Sequence, residues 1–178
     1  LVMAADALTD VDLGALRAAH ETNGGIATLT VKQVADTSEY GVVVTGSDGR
    51  VQGFQEKPDP AEALSNLASC MIYMLEPEIF DYFPDEPKID FALDVFPALL
   101  ENDVPFHVHK TSAYWNDVGS PGEFRQGNFD ALAGEVEIDH GAEPAGDGIL
   151  CAPGAFLPDL AMSLNNLSVQ QGELGNRE

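Results

Sequence analysis

The sequence predicts an α/β protein in which helices pack against a layered sheet. Two observations predict this class. Segments of strand character, such as residues 26–34, which are rich in β-branched residues, and the apolar residues 67–75, alternate with segments of helical character. Hydrophobic residues also make up 44% of the 178 residues, which argues against a disordered chain and allows one domain with a buried core.

The first part of the chain predicts strands around one helix. Residues 1–5 form a short apolar run, which is typical of a buried strand in a parallel sheet. Asp12 is placed to begin a helix, and the Asn-Gly-Gly sequence at residues 23–25 is placed to end it. A turn signal at Gly46-Ser47-Asp48-Gly49 divides two extended runs and therefore predicts a hairpin over residues 41–55.

The second part continues this alternation. Residues 77–83 and 91–100 are predicted to be helical, and residues 104–110 and 113–116 are predicted to be extended. A last helix has Pro121 in its first turn, where proline is favoured.

The composition changes near residue 134. Residues 1–133 are predicted to form one domain, whereas residues 134–178 contain short apolar pieces separated by Gly, Asp and Pro. Gly148 and Gly154 stand six positions apart, as in a hexapeptide β-helix, but such a stack needs about three repeats. The tail is therefore either irregular or the start of a β-helix.

The charge is strongly one-sided. The sequence contains 30 Asp and Glu residues but only 8 Lys and Arg residues, which gives a net charge of -22. Nucleic-acid binding is excluded as an expectation because it draws its affinity from clustered cations. Such a surface repels itself in dilute salt and is screened in molar salt, so we expect a protein matched to a high-salt cytoplasm. The alternative is an ordinarily acidic protein.

The two cysteines favour a reducing compartment. Cys70 and Cys151 show no CxxC spacing and are too few for a disulfide framework. No apolar run reaches the roughly 18 residues of a membrane span, and residues 1–5 have no basic flank of a signal peptide. We expect a cytoplasmic protein without a membrane partner. Because Leu1 opens inside an apolar run, we also expect a fragment of a longer chain.

Two aspartates follow predicted strands. Asp6 comes after residues 1–5, and Asp117 comes after residues 113–116. Carboxylates at strand ends line the ligand crevice of an open α/β sheet, so this pair could share one hard cation such as Mg²⁺. The alternative is that each aspartate only caps the helix that follows it.

The sequence Gln55-Glu56-Lys57-Pro58 ends another predicted strand. Pro58 disfavours a helical conformation at the preceding residue, so Lys57 is predicted to be extended. Its ammonium could neutralise a phosphate, and the neighbouring carboxylate could accept hydrogen bonds from sugar hydroxyls. A solvated charge pair in a turn is the alternative.

Together these motifs resemble a known family. They are Leu1-Val-Met-Ala-Ala-Asp6, Tyr40-Gly41-Val42-Val43, Glu56-Lys57-Pro58, Ile72-Tyr73 and Tyr114-Trp115-Asn116-Asp117-Val118-Gly119-Ser120-Pro121. In this order they resemble the sugar-1-phosphate nucleotidylyltransferases, which include mannose-1-phosphate guanylyltransferases and glucose-1-phosphate thymidylyltransferases. The resemblance implies a Rossmann-like three-layer sheet truncated at its N-terminus, followed by a segment similar to the start of a left-handed β-helix.

The resemblance also implies a reaction. A sugar-1-phosphate oxygen would attack the α-phosphorus of a nucleoside triphosphate, giving an NDP-sugar and pyrophosphate. By their places in the motifs, Asp6 and Asp117 would bind Mg²⁺, and Lys57 would bind the phosphate of the sugar-1-phosphate. Glu56 would bind the sugar hydroxyls, while Tyr40 and Gly41 would border the substrates. A homo-oligomer is compatible with this reading.

The chain departs from the family pattern in three respects, one of which is an acidic surface that repels an anionic substrate in dilute salt. The family's glycine-rich loop with its Arg and Lys lies before the first residue, so we expect no turnover by this chain alone. Ala5 and Met71 stand where the family has glycine, and a side chain there narrows the sugar pocket. The alternative functions are a non-catalytic sugar-phosphate-binding or regulatory paralogue and an acidic metal-binding module. The sequence identifies neither the base nor the sugar.

Overall fold

The computed structural model describes residues 1–137, 143–146 and 149–151. The chain divides into two compact units, which are Leu1–Glu123 and Phe124–Glu178. The first unit has the predicted α/β composition. None of the helices in the described part of the chain combines the length and the apolar character that a membrane span requires.

The strands of the first unit are β1 Val2–Met3, β2 Leu8–Thr9, β3 Ala27–Gln33, β4 Gly41–Thr45, β5 Val51–Glu56, β6 Leu67–Leu75, β7 His107–Thr111 and β8 Trp115–Asn116. The helices are α1 Leu13–Asn23, a 3₁₀ helix Pro77–Tyr82, a π-helical turn Phe91–Val95, α2 Phe96–Glu101 and α3 Pro121–Ala133, whose last ten residues belong to the second unit. The second unit also contains β9 Glu143–Gly146 and β10 Ile149–Cys151, which pair antiparallel.

Most of the main sheet is antiparallel. Its order is β5-β4-β6-β3-β7, and β1 pairs with β6 beside this path. Only the β3–β7 pair is parallel among the pairs of the described strands. The remaining two-stranded pair of the first unit joins β2 to β8.

The prediction of a buried parallel strand at residues 1–5 is wrong. Val2 and Met3 pair antiparallel with Tyr73 and Ile72, and both side chains are 41% exposed. Within the described residues β1 pairs along one edge only, and it has just two residues. An apolar composition identified the strand, but not its place at an edge.

Helices cover both faces of the sheet. On one face, Leu16 of α1 packs with Cys70 and Ile72 of β6. On the other face, Phe96 of α2 packs with Tyr73 of the same strand in a larger aromatic core. Neighbouring positions of a strand point to opposite faces, so this alternation gives the three layers that the resemblance implied.

Several local predictions are confirmed. The hairpin is formed by β4 and β5, and β6 spans residues 67–75 as predicted. The helix predicted over residues 91–100 divides into a π-helical turn and α2. Beyond residue 137, only the short strands β9 and β10 lie within the described residues. The β-helix and the domain boundary after residue 133 therefore stay predictions.

A bulge interrupts the ladder between β3 and β6. Thr30 of β3 alone faces residues 70–72 of β6, between two regular stretches of the ladder. Met71, in the middle of the bulge, has a φ of +57°. Bulges bend a strand and often lie next to active sites.

Two strands share the opposite edge of β6. β1 pairs with Ile72 and Tyr73, and β4 pairs with Ala68. Residues 69–71 of β6 lie between the end of β1 and the start of β4, and we call this stretch the β6 gap. The residues that follow β1 and those that precede β4 therefore approach the same place.

Candidate functional site

The structure brings Asp6 and Asp117 to the same side of the molecule. β2 pairs antiparallel with β8, with Leu8 opposite Asn116. Continuing this register places the residues just before β2 beside those just after β8. The Asp6 carboxylate is close enough to contribute to a raised pKa of Asp117.

Asp117 lies in an environment that disfavours its charge. Burial raises the pKa of its carboxyl, and the negative charges of Glu123 and Asp6 raise it further, while the backbone N–H of Gly119 opposes them. Its Oδ1 is buried and has no hydrogen-bond partner among the described residues. A cation bound there would supply the missing partner.

The helix-capping alternative does not describe either aspartate. Asp12 caps α1, since its Oδ1 accepts the N–H of Ala15 at 2.9 Å. At α3 the cap is Ser120, whose Oγ accepts the N–H of Glu123 at 3.2 Å. Capping thus leaves Asp6 and Asp117 available for another role.

Glu123 is a site residue that the sequence reasoning missed. A Cβ built on Gly119 would lie 3.3 Å from Asp117 Oδ2 and 3.5 Å from Glu123 Oε2, so both carboxylates converge over this glycine. The spacing Ser120-Pro121-Gly122-Glu123 is that of a capping box, and this signal fixes where Glu123 lies on the helix.

Tyr40 connects the two halves of the site. Its ring lies 5.4 Å from that of Trp115, which precedes Asn116 and Asp117. Its carbonyl oxygen accepts the N–H of Lys57 at 3.1 Å. Burial raises the pKa of Tyr40, and the negative charge of Asp117 raises it further. The aspartates and the Glu56-Lys57-Pro58 segment are therefore linked through one aromatic residue.

The prediction that Lys57 is extended is wrong. Its φ is +45°, in the left-handed region that favours glycine. Its N–H is held by Tyr40, and the hydroxyl of Thr37 donates to the carbonyl oxygen of Pro58 at 3.1 Å. These tertiary hydrogen bonds override the local preference set by Pro58. The side chain is exposed, and none of the ion pairs found within the described residues involves its ammonium.

Glu56 and Gly41 face each other across the hairpin. They are register partners in the β4–β5 ladder. A Cβ on Gly41 would lie 3.1 Å from Glu56 Oε2, so glycine leaves the space that this carboxylate occupies. Both residues line a cavity of about 320 Å³ beside the β6 gap, together with Ser69.

Comparison with known proteins decides the family. The family model described as Nucleotidyl transferase matches residues 1–133. The chain belongs to this nucleotidyl transferase family.

Two curated relatives illustrate the similarity. The chain is 37% identical over 139 residues to a UTP--glucose-1-phosphate uridylyltransferase of Synechocystis, covering 77% of this chain and 36% of that protein. It is 30% identical over 163 residues to a mannose-1-phosphate guanylyltransferase of Mycobacterium tuberculosis, covering 88% of this chain and 45% of that protein. The nucleotidyl transferase chain therefore spans less than half the length of these two relatives.

Solved structures share the fold. A putative glucose-1-phosphate thymidylyltransferase from Bacillus anthracis, in complex with a sucrose, gives a TM-score of 0.60 at 20% identity, covering 75% of this chain and 54% of that one. A UTP-bound UGPase from Acinetobacter baumannii gives a TM-score of 0.61 at 20% identity, covering 74% of this chain and 50% of the other. At this identity the likeness supports the nucleotidyl transferase fold alone.

Backbone strain is concentrated at the candidate site of this nucleotidyl transferase. Four non-glycine residues in the described part of the chain have a positive φ, and Lys57, Met71 and Val118 are three of them. Val118 is a β-branched residue directly after Asp117, for which a φ of +53° is a clear outlier. Strain of this kind persists where the surrounding structure enforces it, often at functional sites.

The donor set suits a hard divalent cation only in part. Among the described residues no group of three or more His, Cys, Asp or Glu side chains is arranged to hold a metal ion. Two carboxylates, one with an orphaned buried oxygen, match the oxygen ligands that Mg²⁺ prefers. Mg²⁺ commonly keeps waters and substrate phosphates as its other ligands, so a two-aspartate site fits this ion.

Proposed function

We propose that this chain supplies the sugar-1-phosphate and metal part of a nucleotidylyltransferase site. The complete reaction would transfer NMP from a nucleoside triphosphate to a sugar-1-phosphate, giving an NDP-sugar and pyrophosphate. The observation that carries the proposal is the convergence, around Tyr40 and the β6 gap, of the segments that bear Asp6, Asp117 and Lys57. The names of the curated relatives support the reaction class.

Lys57 would bind the phosphate of the sugar-1-phosphate. Its ammonium is exposed on a backbone fixed by Tyr40, and a phosphate oxygen is its natural acceptor. The Glu56 carboxylate would accept hydrogen bonds from sugar hydroxyls, and Gly41 would leave room for them. Tyr40 would border the sugar and the nucleotide. These residues would orient the attacking oxygen, which is the main catalytic task in phosphoryl transfer.

Asp6 and Asp117 would hold Mg²⁺. When bound, the ion would offset the negative charge of the phosphates as the new P–O bond forms and pyrophosphate leaves. Asp117 has the orphaned oxygen, and Asp6 is the exposed partner. Glu123 lies next to Asp117 and would add negative charge without completing a three-carboxylate site.

A binding titration tests the proposal. In molar KCl with Mg²⁺, glucose 1-phosphate and mannose 1-phosphate are titrated into the full chain, Lys57→Ala and Lys88→Ala. Loss of a charge-assisted hydrogen bond is worth about 1.5 to 3 kcal/mol, so we expect Lys57→Ala to weaken binding roughly 10- to 150-fold. Lys88 is another exposed lysine and serves as the matched control.

Two results would contradict the proposal. The first is no binding of either sugar-1-phosphate to the folded chain. The second is an equal loss of affinity in Lys57→Ala and Lys88→Ala, which would assign the effect to general charge. The proposal also holds that this chain does not turn over alone. A pyrophosphate-release assay with Mg²⁺, several nucleoside triphosphates and both sugar-1-phosphates tests this, and robust release would contradict it.

The proposal includes a cytoplasmic location and a high-salt environment. Cys70 is a free thiol buried in the core, and burial raises its pKa to about 12, so it is an inert structural cysteine. The alternative function is a non-catalytic sugar-phosphate-binding paralogue. Catalytic activity of a complex that contains this chain would exclude this alternative.

A homo-oligomer also stays a prediction.

A further inference from the structure

The cavity beside Glu56 has apolar walls. Its volume of about 320 Å³ lies within the range of small-molecule sites. Its lining includes several apolar or aromatic residues, namely Phe54, Tyr73, Ala92, Leu93, Phe96, Pro97 and Leu100. Because Gly41 and Glu56 line the same cavity, it is continuous with the proposed sugar site.

The polar side chains that line this cavity are partly engaged within the protein. The Gln55 Nε2 donates to the Glu62 carbonyl, and its Oε1 accepts the Leu64 N–H. The hydroxyls of Ser69 and Tyr73 lie 3.3 Å apart and bond to each other, which uses one of their two O–H donors. A sugar hydroxyl placed against Phe54, Phe96 or Leu100 would lose its water to a wall whose side chains offer no hydrogen bond, which is unfavourable.

The wall on the α2 side is built by an unusual turn. Ala92 and Leu93 belong to the π-helical turn Phe91–Val95, and π-helical turns are rare and frequently found at functional sites. Asp90 fixes the turn, because its Oδ1 accepts the N–H of Ala92 at 2.8 Å and that of Leu93 at 3.1 Å. The turn thereby presents two apolar residues to the cavity.

We infer that the sugar-1-phosphate taken by this chain carries a methyl-terminated substituent, which occupies the apolar cavity while Glu56 binds ring hydroxyls at its mouth. The substituent is the methyl group of a 6-deoxyhexose or of an acetamido sugar. Ala92 and Leu93 are then specificity-determining residues. This inference rests on the proposed function and adds the substrate class.

The test is a calorimetric titration of the full chain in molar KCl with Mg²⁺. The ligands are glucose 1-phosphate, 6-deoxyglucose 1-phosphate and N-acetylglucosamine 1-phosphate, which share the phosphate and differ in the substituent. One methyl-bearing ester is expected to bind at least about tenfold more tightly than glucose 1-phosphate. Which ester does so identifies the source of the methyl group.

Two variants make the result specific. Ala92→Ser puts a hydroxyl on the wall and is expected to lower the preference to about threefold or less. Ala98→Ser, on α2 but lining a different cavity, is the matched control and should leave the preference unchanged. Lys57→Ala should weaken all three esters by the same factor.

The outcomes separate the two proposals. Equal affinity for the three esters within about twofold overturns the inference on the substituent but leaves the proposed function. An equal change of the preference in Ala98→Ser and Ala92→Ser also overturns the inference on the substituent and leaves the proposed function. Binding of none of the three esters overturns both.

Discussion

The α2 face of the sheet and the β6 gap are built in opposite ways. On the α2 face, Phe96 is 1% exposed and its ring lies 5.2 Å from that of Tyr73 and 5.8 Å from that of Phe106. At the gap, Met71 is 54% exposed and has a φ of +57°. One region is closely packed, and the other has strained backbone and exposed side chains.

The difference separates the closely packed part of the fold from the proposed site. Burial of aromatic surface stabilises the fold, while Lys57, which is proposed to bind phosphate, and Met71 and Val118 have left-handed conformations that the rest of the structure must enforce. Asp117, with its buried orphaned oxygen, adds an electrostatic cost to the same region. We therefore expect core variants to unfold the protein and site variants to leave it folded or more stable.

The largest effect is expected in the core. Phe96→Ala removes a buried ring and leaves a cavity, so the free energy of unfolding should fall by about 3 to 5 kcal/mol. Urea unfolding in molar KCl measures this. Phe80→Ala is the matched control, because Phe80 is 67% exposed and its removal should change stability by less than about 1 kcal/mol. Similar losses in both variants would show that the α2 face is not the stabilising region.

A smaller effect of opposite sign is expected at the gap. Met71→Gly relieves a left-handed conformation worth about 1 to 2 kcal/mol, offset by about 0.5 to 1 kcal/mol of additional chain entropy. The free energy of unfolding should therefore stay constant or rise by about 1 kcal/mol. Ile72→Ala, at the buried neighbour, should lower it by about 2 to 5 kcal/mol. A clear loss of stability in Met71→Gly would contradict the assignment of strain to this residue.

The smallest effect concerns pH. Because the pKa of Asp117 is raised in the folded state, folding binds a proton more tightly, and stability falls as pH rises from the ordinary value of 3.8 through the raised pKa. Asp117→Asn lacks this loss, so in the presence of a chelator it should gain stability relative to the wild type over that window. Below this pH window, the difference in unfolding free energy between Asp117→Asn and the wild type should be constant and at its smallest value. Unfolding curves at several pH values measure this, with Asp85→Asn as control for a general change of charge.

The sequence predicted the elements better than their surroundings. The bounds of β6 follow from an apolar run, and the β4–β5 hairpin follows from a Gly-containing turn between two extended runs. Both signals act over a few residues. The φ of Lys57 was missed because Tyr40, far along the chain, holds its N–H. The bulge at Met71 was missed because it depends on pairing with β3.

The candidate site was predicted through its motifs. Asp6 and Asp117 were identified by their places after strands, but their approach depends on the β2–β8 pair, which local patterns do not specify. Glu123 was missed because its carboxylate approaches that of Asp117 over Gly119 through the path of the chain from Asp117 into the first turn of α3, which the local pattern does not specify. Motif order thus selected the candidate residues, and tertiary pairing determined their environment.

The central claim is that Asp6 and Asp117 form one divalent-cation site. Calorimetric titration of Mg²⁺ into the wild type, Asp6→Asn, Asp117→Asn and the control Asp85→Asn, in molar KCl, tests it directly. We expect one saturable Mg²⁺ site that is lost in either Asp6→Asn or Asp117→Asn and retained in Asp85→Asn. Unchanged Mg²⁺ affinity in either of the first two variants would contradict the account.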